Sequence, residues 1–284
     1  MSDTFPLANR LVRRVGFGAM QLPGPGVLGP PKDHDEAIRV LRRAIELGVN
    51  HIDTAQFYGP AVSNELIREA LYPYPDDLAI VSKVGARRTE SGEFVLADKP
   101  ADLRADVEEN LSALGLEQLT AVNLRLMEGG GSGVAFEDQL AEMVALRDEG
   151  KIAGVGVSTV DAAQVATAID LADIVCVQNA FSFVDQHDAD VLDHCTSAGV
   201  AYVPYFPLGS AFPNLPKVSE NATVQLVAAR MGVSTSQIGL AWLLARAENV
   251  LLIPGTSSVA HLQDNMTVAD LTLSEQDFTE LSGA

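Results

Sequence analysis

The chain has 284 residues, 47% of them hydrophobic and 20% charged, enough apolar material for a large core. That balance excludes a disordered, collagen-like or disulfide-built protein. Nineteen basic against 38 acidic side chains leave a formal charge of −19, a field that repels nucleic-acid backbones and anionic lipid. Most of the acid excess reads as solvated surface, and any phosphate-bearing ligand needs a locally positive or amide-lined pocket. Cys176 and Cys195 are too few for a disulfide framework, and Cys176 lies in an apolar run, so a reducing compartment is expected. The first residues lack the basic and apolar regions of a signal peptide, and no long uncharged apolar stretch spans a membrane. A cytoplasmic location is therefore expected, with neither membrane nor nucleic acid as partner.

Residues 5–14 read as a short hairpin. Strand-like runs follow at 15–18, 50–53, 78–83, 121–127, 152–157, 174–178, 201–205 and 250–253. Between them lie amphipathic segments such as 35–47, where Ile38, Leu41 and Ile45 share one face. Gly48, Gly115 and Gly150 sit where helices should end. Eight strands alternating with helices predict an α/β fold, a single (β/α)8 TIM barrel spanning residues 1–284, with the hairpin closing its bottom.

In such a barrel the chemistry sits at the C-terminal ends of the strands. Asp53 and Tyr58 follow the second barrel strand, Lys83 ends the third and Glu128 follows the fourth. Gln178 and Tyr205 end the sixth and seventh. A phenol beside a lysine ammonium, itself held by an aspartate, suits a general acid that protonates an alkoxide as it forms. Taken singly, each residue has an ordinary explanation: tyrosine as loop packing, lysine as surface, aspartate as a helix cap. Lys83 resists that explanation, because the run before it, residues 78–82, reads as buried.

The order and spacing of several motifs resemble the aldo-keto reductase superfamily over nearly the whole chain. Gly16-Phe17-Gly18-Ala19-Met20 is similar to its first-strand motif. His51-Ile52-Asp53-Thr54-Ala55-Gln56-Phe57-Tyr58-Gly59 is similar to its signature, and Ser82-Lys83 to its lysine. Gly154-Val155-Gly156-Val157-Ser158, Tyr205-Phe206-Pro207-Leu208-Gly209 and Ile253-Pro254-Gly255-Thr256 match later segments. The resemblance implies a metal-free reductase that takes hydride from NADPH, or from NADH, and acts on a small carbonyl substrate. Tyr58 is then the proton donor, tuned by Lys83 and Asp53. The resemblance sets Gly18 and Met20 against the cofactor and Tyr205 against its nicotinamide ring. Ser158 and Gln178 fall on the carboxamide, and Leu208 and Ser210 on the pyrophosphate. Thr159 replaces the asparagine usual after the serine.

Two departures stand out. Gapless alignment places Glu128 where the family has a histidine, a position that a protonated glutamate fills only if burial raises its pKa. Arg125, a charge inside a strand, needs a partner, and Glu128 or Glu65 is available for it. The adenosine segment lacks the usual lysine or arginine. Gly255, Thr256, Ser257, His261, Gln263 and Asn265, with the hydroxyl of Ser258 and a helix N-terminus, make the expected anion and adenine site. NADPH is expected with weaker discrimination against NADH. The run 122–125 resembles a bacterial branch that includes pyridoxal reductases. Three other readings compete. A cofactor-holding redox sensor is favoured by the missing histidine, and a reductase of an activated double bond by Glu128. A metal hydrolase is disfavoured because the five histidines show no ligand spacing.

Overall fold

The computed structural model describes residues 3–89, 91–127, 131–209 and 216–283. An N-terminal hairpin pairs β1 (Thr4–Leu7) with β2 (Arg10–Arg13). The strands that follow are β3 (Phe17–Gly18), β4 (His51–Asp53), β5 (Ala79–Arg88), β6 (Phe94–Ala97), β7 (Ala121–Arg125), β8 (Val155–Ser158), β9 (Cys176–Gln178) and β10 (Ala201–Tyr202). The helices are α1 (His34–Glu46), α2 (Val62–Leu71), α3 (Pro100–Leu114), α4 (Phe136–Asp148), α5 (Ala162–Ala172), α6 (Ala189–Ala198), α7 (Ala222–Met231), α8 (Thr235–Arg246), α9 (Val259–Met266) and α10 (Glu275–Ser282).

Seven strands run parallel in the order β10-β9-β8-β7-β5-β4-β3. Residues 250–252 complete the ring: Tyr202 bridges Val250, and Val15 bridges Leu252. Leu251 N donates to Tyr202 O at 2.9 Å, and Gly16 N donates to Leu252 O at 2.8 Å. The last strand expected at 250–253 is thus a seam of isolated bridges rather than a continuous ladder. β6, which sequence patterning did not find, folds back antiparallel on the long end of β5. Its Phe94, Val95 and Leu96 are exposed, so the alternation that marks a half-buried strand is missing.

Strand alternation sorts the side chains into two layers. Ile80 and Val84 of β5 and Val122 and Leu124 of β7 face the helices. Ala79, Val81, Ala121 and Cys176 face the barrel axis, where Leu7 and Val12 of the hairpin join them and plug the lower end. Helix ends follow local chemistry. Asp161 with Gln164 and Ser234 with Gln237 form capping boxes on α5 and α8. Gly48, Gly115 and Gly150 take positive φ where α1, α3 and α4 stop.

Arg14 secures the seam. Its guanidinium is buried and donates to Leu244 O at 2.7 Å, Ala247 O at 2.6 Å and Val250 O at 3.1 Å. It thereby satisfies carbonyls that the end of α8 leaves open. Gly18 and Gly255 meet across the same seam: a Cβ on Gly18 would lie 2.5 Å from Ile253 O, and one on Gly255 2.7 Å from Gly18 O. Both glycines are therefore required by backbone approach. Gly18→Ala is expected to lower the unfolding free energy by roughly 1–3 kcal/mol, as overpacking does. A denaturant melt within error of wild type would refute this reading of the seam.

Candidate active site

The mouth is built where β4, β5, β7, β8 and β9 end. Asp53 closes β4 and Lys83 stands on the inward face of β5, both almost completely buried. They form a direct ion pair, and Lys83 Nζ also donates to Thr54 O at 3.0 Å. The second carboxylate oxygen of Asp53 accepts from Gln178 Nε2 at 2.8 Å, across the barrel from β9. Burial alone would strip the Lys83 proton, but Asp53 and Tyr58 outweigh it and hold the ammonium above its ordinary range.

Tyr58 is buried in the turn between β4 and α2, with Lys83 Nζ 5.0 Å from its ring centroid. Phe57 meets it edge-on at 5.3 Å, and Phe94 of β6 meets Phe57 at 5.6 Å. Met20, Val27 and Met127 complete this apolar wall. A lysine ammonium beside a phenol pulls its pKa down, but burial pushes that of Tyr58 up, and the pull of Lys83 and Arg125 only partly offsets it. A closed apolar pocket penalises phenolate more than one ammonium favours it.

Arg125, Ser158 and Gln178 stand side by side in one register row of β7, β8 and β9. This corrects the expectation for the fourth barrel strand. The strand stops at Arg125, two residues short of the expected end, so the side chain level with Ser158 and Gln178 is an arginine. Glu128 and Ser210 lie outside the described residues. Nor does Arg125 pair with Glu65: among the described residues it makes no ion pair or hydrogen bond, and its Nε is buried without an acceptor. Its guanidinium lies 5.8 Å from the Tyr205 ring centroid.

Ser158 and Gln178 are fully buried, and Gln178 Oε1 has no donor. That orphaned acceptor beside a serine hydroxyl suits a carboxamide, so the site fits a nicotinamide. Thr159 and Tyr205 place their hydroxyls 3.4 Å apart, and the Tyr205 ring stays partly open. Asn179 shapes this corner, accepting from Thr159 N at 2.8 Å and Val160 N at 3.1 Å where Thr159 takes φ +62. Met20 and Leu208 are half-buried, and Leu208 packs against the core.

The expected adenosine segment leads into α9. Gly255, Ser257, His261 and Gln263 are exposed, Thr256 is buried and Asn265 is intermediate. The donors there are already engaged. Ser258 N reaches Thr256 Oγ1 at 3.1 Å, His261 N reaches Ser258 Oγ at 3.5 Å, and Val259 N reaches Glu36 Oε1 at 3.1 Å. Glu36, which the sequence did not single out, thus sets a carboxylate on the helix end expected to receive phosphate. Its carboxyl is held below the usual range, chiefly by the Val259 amide and the Arg39 side chain.

This barrel, with a buried Asp–Lys pair under a tyrosine at its C-terminal mouth, defines an aldo/keto reductase type of oxidoreductase. The Aldo/keto reductase family profile matches residues 14–284, and the chain belongs to that family. It is 50% identical to pyridoxine 4-dehydrogenase of Escherichia coli over 285 residues, 99% of this chain and 98% of that protein. The solved thermostable aldo-keto reductase Tm1743, in complex with the inhibitor epalrestat, is 28% identical with a TM-score of 0.83, covering 99% of this chain and 98% of its own. An aldo/keto reductase from Klebsiella pneumoniae, solved with NADP and acetate, is 22% identical with a TM-score of 0.82, covering 100% of this chain and 95% of its own, and shares the fold. No helix among the described residues is long and apolar enough to cross a membrane.

His51, two residues before Asp53, is buried, and desolvation drops its pKa from 6.5 to about 4. A base whose folded pKa is depressed supplies stability above its unfolded pKa and loses it as pH falls toward the folded value. From pH 7 to pH 5 the stability margin of wild type over His51→Gln should therefore shrink by about 2 kcal/mol. Parallel stability curves for the two proteins would show that His51 does not stay neutral in the fold.

Proposed function

We propose that the chain reduces an aromatic aldehyde to its alcohol with a nicotinamide dinucleotide, Tyr58 being the proton donor. The observation that carries this reading is the buried Asp53–Lys83 pair beneath Tyr58, beside the orphaned amide oxygen of Gln178. The dinucleotide supplies the hydride. Ser158 and Gln178 hold its carboxamide, Tyr205 supports the ring, and Gly18, Leu208 and the segment 255–265 line the rest. Lys83, kept charged by Asp53, favours the phenolate that remains once Tyr58 has given up its proton. Because the resting phenol is a weak acid, Tyr58 keeps its proton until an alkoxide, the stronger base, develops beside it.

The 50% identity to pyridoxine 4-dehydrogenase over nearly the full length supports a pyridoxal–pyridoxine pair as substrate and product. The residues favour no second substrate, and double-bond reduction rested on Glu128. NADPH is the proposed dinucleotide, with NADH a competent substitute, because Glu36 opposes a 2′-phosphate at the start of α9. Two buried free cysteines accord with the reducing cytoplasm expected from the sequence.

Tyr58→Phe is expected to lower pyridoxal reduction about 100-fold or more, while dinucleotide affinity, read by fluorescence titration, holds. A rate near wild type removes Tyr58 from the proton-donor role. Glu36→Gln is expected to tighten NADP+ severalfold and leave NAD+ nearly as before, because only the former places an anion there. Equal changes for both dinucleotides would sink that assignment.

A further inference from the structure

Most arginines have partners: Arg87 bonds Asp102 and Asp106, Arg104 bonds Glu142 and Glu149, and Arg14 bonds three carbonyls. Among the described residues Arg125 and Arg246 share a buried Nε without a partner, and of the two only Arg125 stands in the register row of Ser158 and Gln178 at the mouth, Arg246 lying against Trp242 at the end of α8. With twice as many acids as bases in the chain, an ion-pair partner is easily had. Yet Arg125, half-buried with Nε out of contact with water, makes no hydrogen bond or ion pair among the described residues. Leaving that Nε–H without an acceptor costs free energy that an anionic ligand would return.

Its place says which ligand. Arg125 shares the register row of Ser158 and Gln178, and its charge is felt at Tyr58. Around Tyr58 lies an apolar cluster in which Phe57 meets it edge-on and Met20 and Met127 pack beside them. A guanidinium presents its donors in a planar fork, which holds two neighbouring oxygens at once.

We propose that Arg125 is a substrate-binding residue that grips the carbonyl oxygen and a second, acidic oxygen on the adjacent ring carbon, and so selects ortho-hydroxylated aromatic or heteroaromatic aldehydes. The inference rests on the aldehyde reductase reading and adds to it the feature by which the site recognises its substrate. The ring lies against Phe57 and the methionines. The carbonyl oxygen lies between Tyr58 and Arg125, and the ortho oxygen takes the outer edge of the fork. An arginine at this strand end reads two oxygens where a single donor would read one.

The test compares 2-hydroxybenzaldehyde, 4-hydroxybenzaldehyde and benzaldehyde with the full-length protein and dinucleotide. Wild type should favour the ortho compound in kcat/KM by about tenfold or more, the scale of a charge-assisted hydrogen bond. In Arg125→Gln the preference should collapse toward unity, mainly through KM, and Arg125→Lys should restore part of it. Calorimetric titration of the three compounds reads the same preference without turnover. An ortho preference that survives in Arg125→Gln, or is absent from wild-type binding, overturns the proposal. Should wild type reduce no aldehyde but still bind the ortho compound through Arg125, the reductase reading fails and this inference stands.

Discussion

The site depends on one buried pair of opposite charges. Asp53 and Lys83 come from neighbouring strands, and each alone would be an unpaired ion in the barrel's interior. Breaking such a pair by removing one partner typically costs about 3–5 kcal/mol, because the other charge is stranded. The pair is tolerable only because Thr54 O and Gln178 satisfy its remaining donor and acceptor. Gln178 reaches Asp53 from across the barrel, so the pair requires the ring to be closed. Closure in turn rests on the seam that Arg14 and the facing glycines hold.

Electrostatics at the mouth invert those of the whole molecule. The chain carries −19, but Lys83 and Arg125 put two cations around the phenol of Tyr58. They lower the cost of negative charge where an alkoxide or phenolate would form, in a pocket whose apolar walls otherwise penalise it. At the other end of the cleft Glu36 does the opposite, adding a carboxylate to the start of α9. An acidic protein can thus be cationic at its chemistry and anionic a short way off.

Much of this was legible beforehand. Alternating short apolar runs and amphipathic segments announced the barrel, and Asp53, Tyr58 and Lys83 stood out because reactive residues followed predicted strands. The reading slipped at the fourth strand. The strand ends at Arg125, two residues before the expected Met127, which puts that charge level with Ser158 and Gln178. β6 escaped because its apolar residues are exposed. The amides at the start of α9 read as free anion ligands, but they donate to Thr256 Oγ1, Ser258 Oγ and Glu36 Oε1, a competition between local partners that composition does not display.

The sequence by itself determined the order of elements, the helix caps and stops, and the identity of the reactive groups. These follow from periodicity and from contacts within a few residues. Only the tertiary structure decided which groups meet. The register of β7 with β8 and β9 chose Arg125 for the mouth, and the approach of α1 to α9 placed Glu36 at a helix end. Ring closure linked Gln178 to Asp53 over 125 residues of chain. Pairings at that distance are set by packing of the whole core, in which a one-residue shift of a strand turns every side chain to the other face.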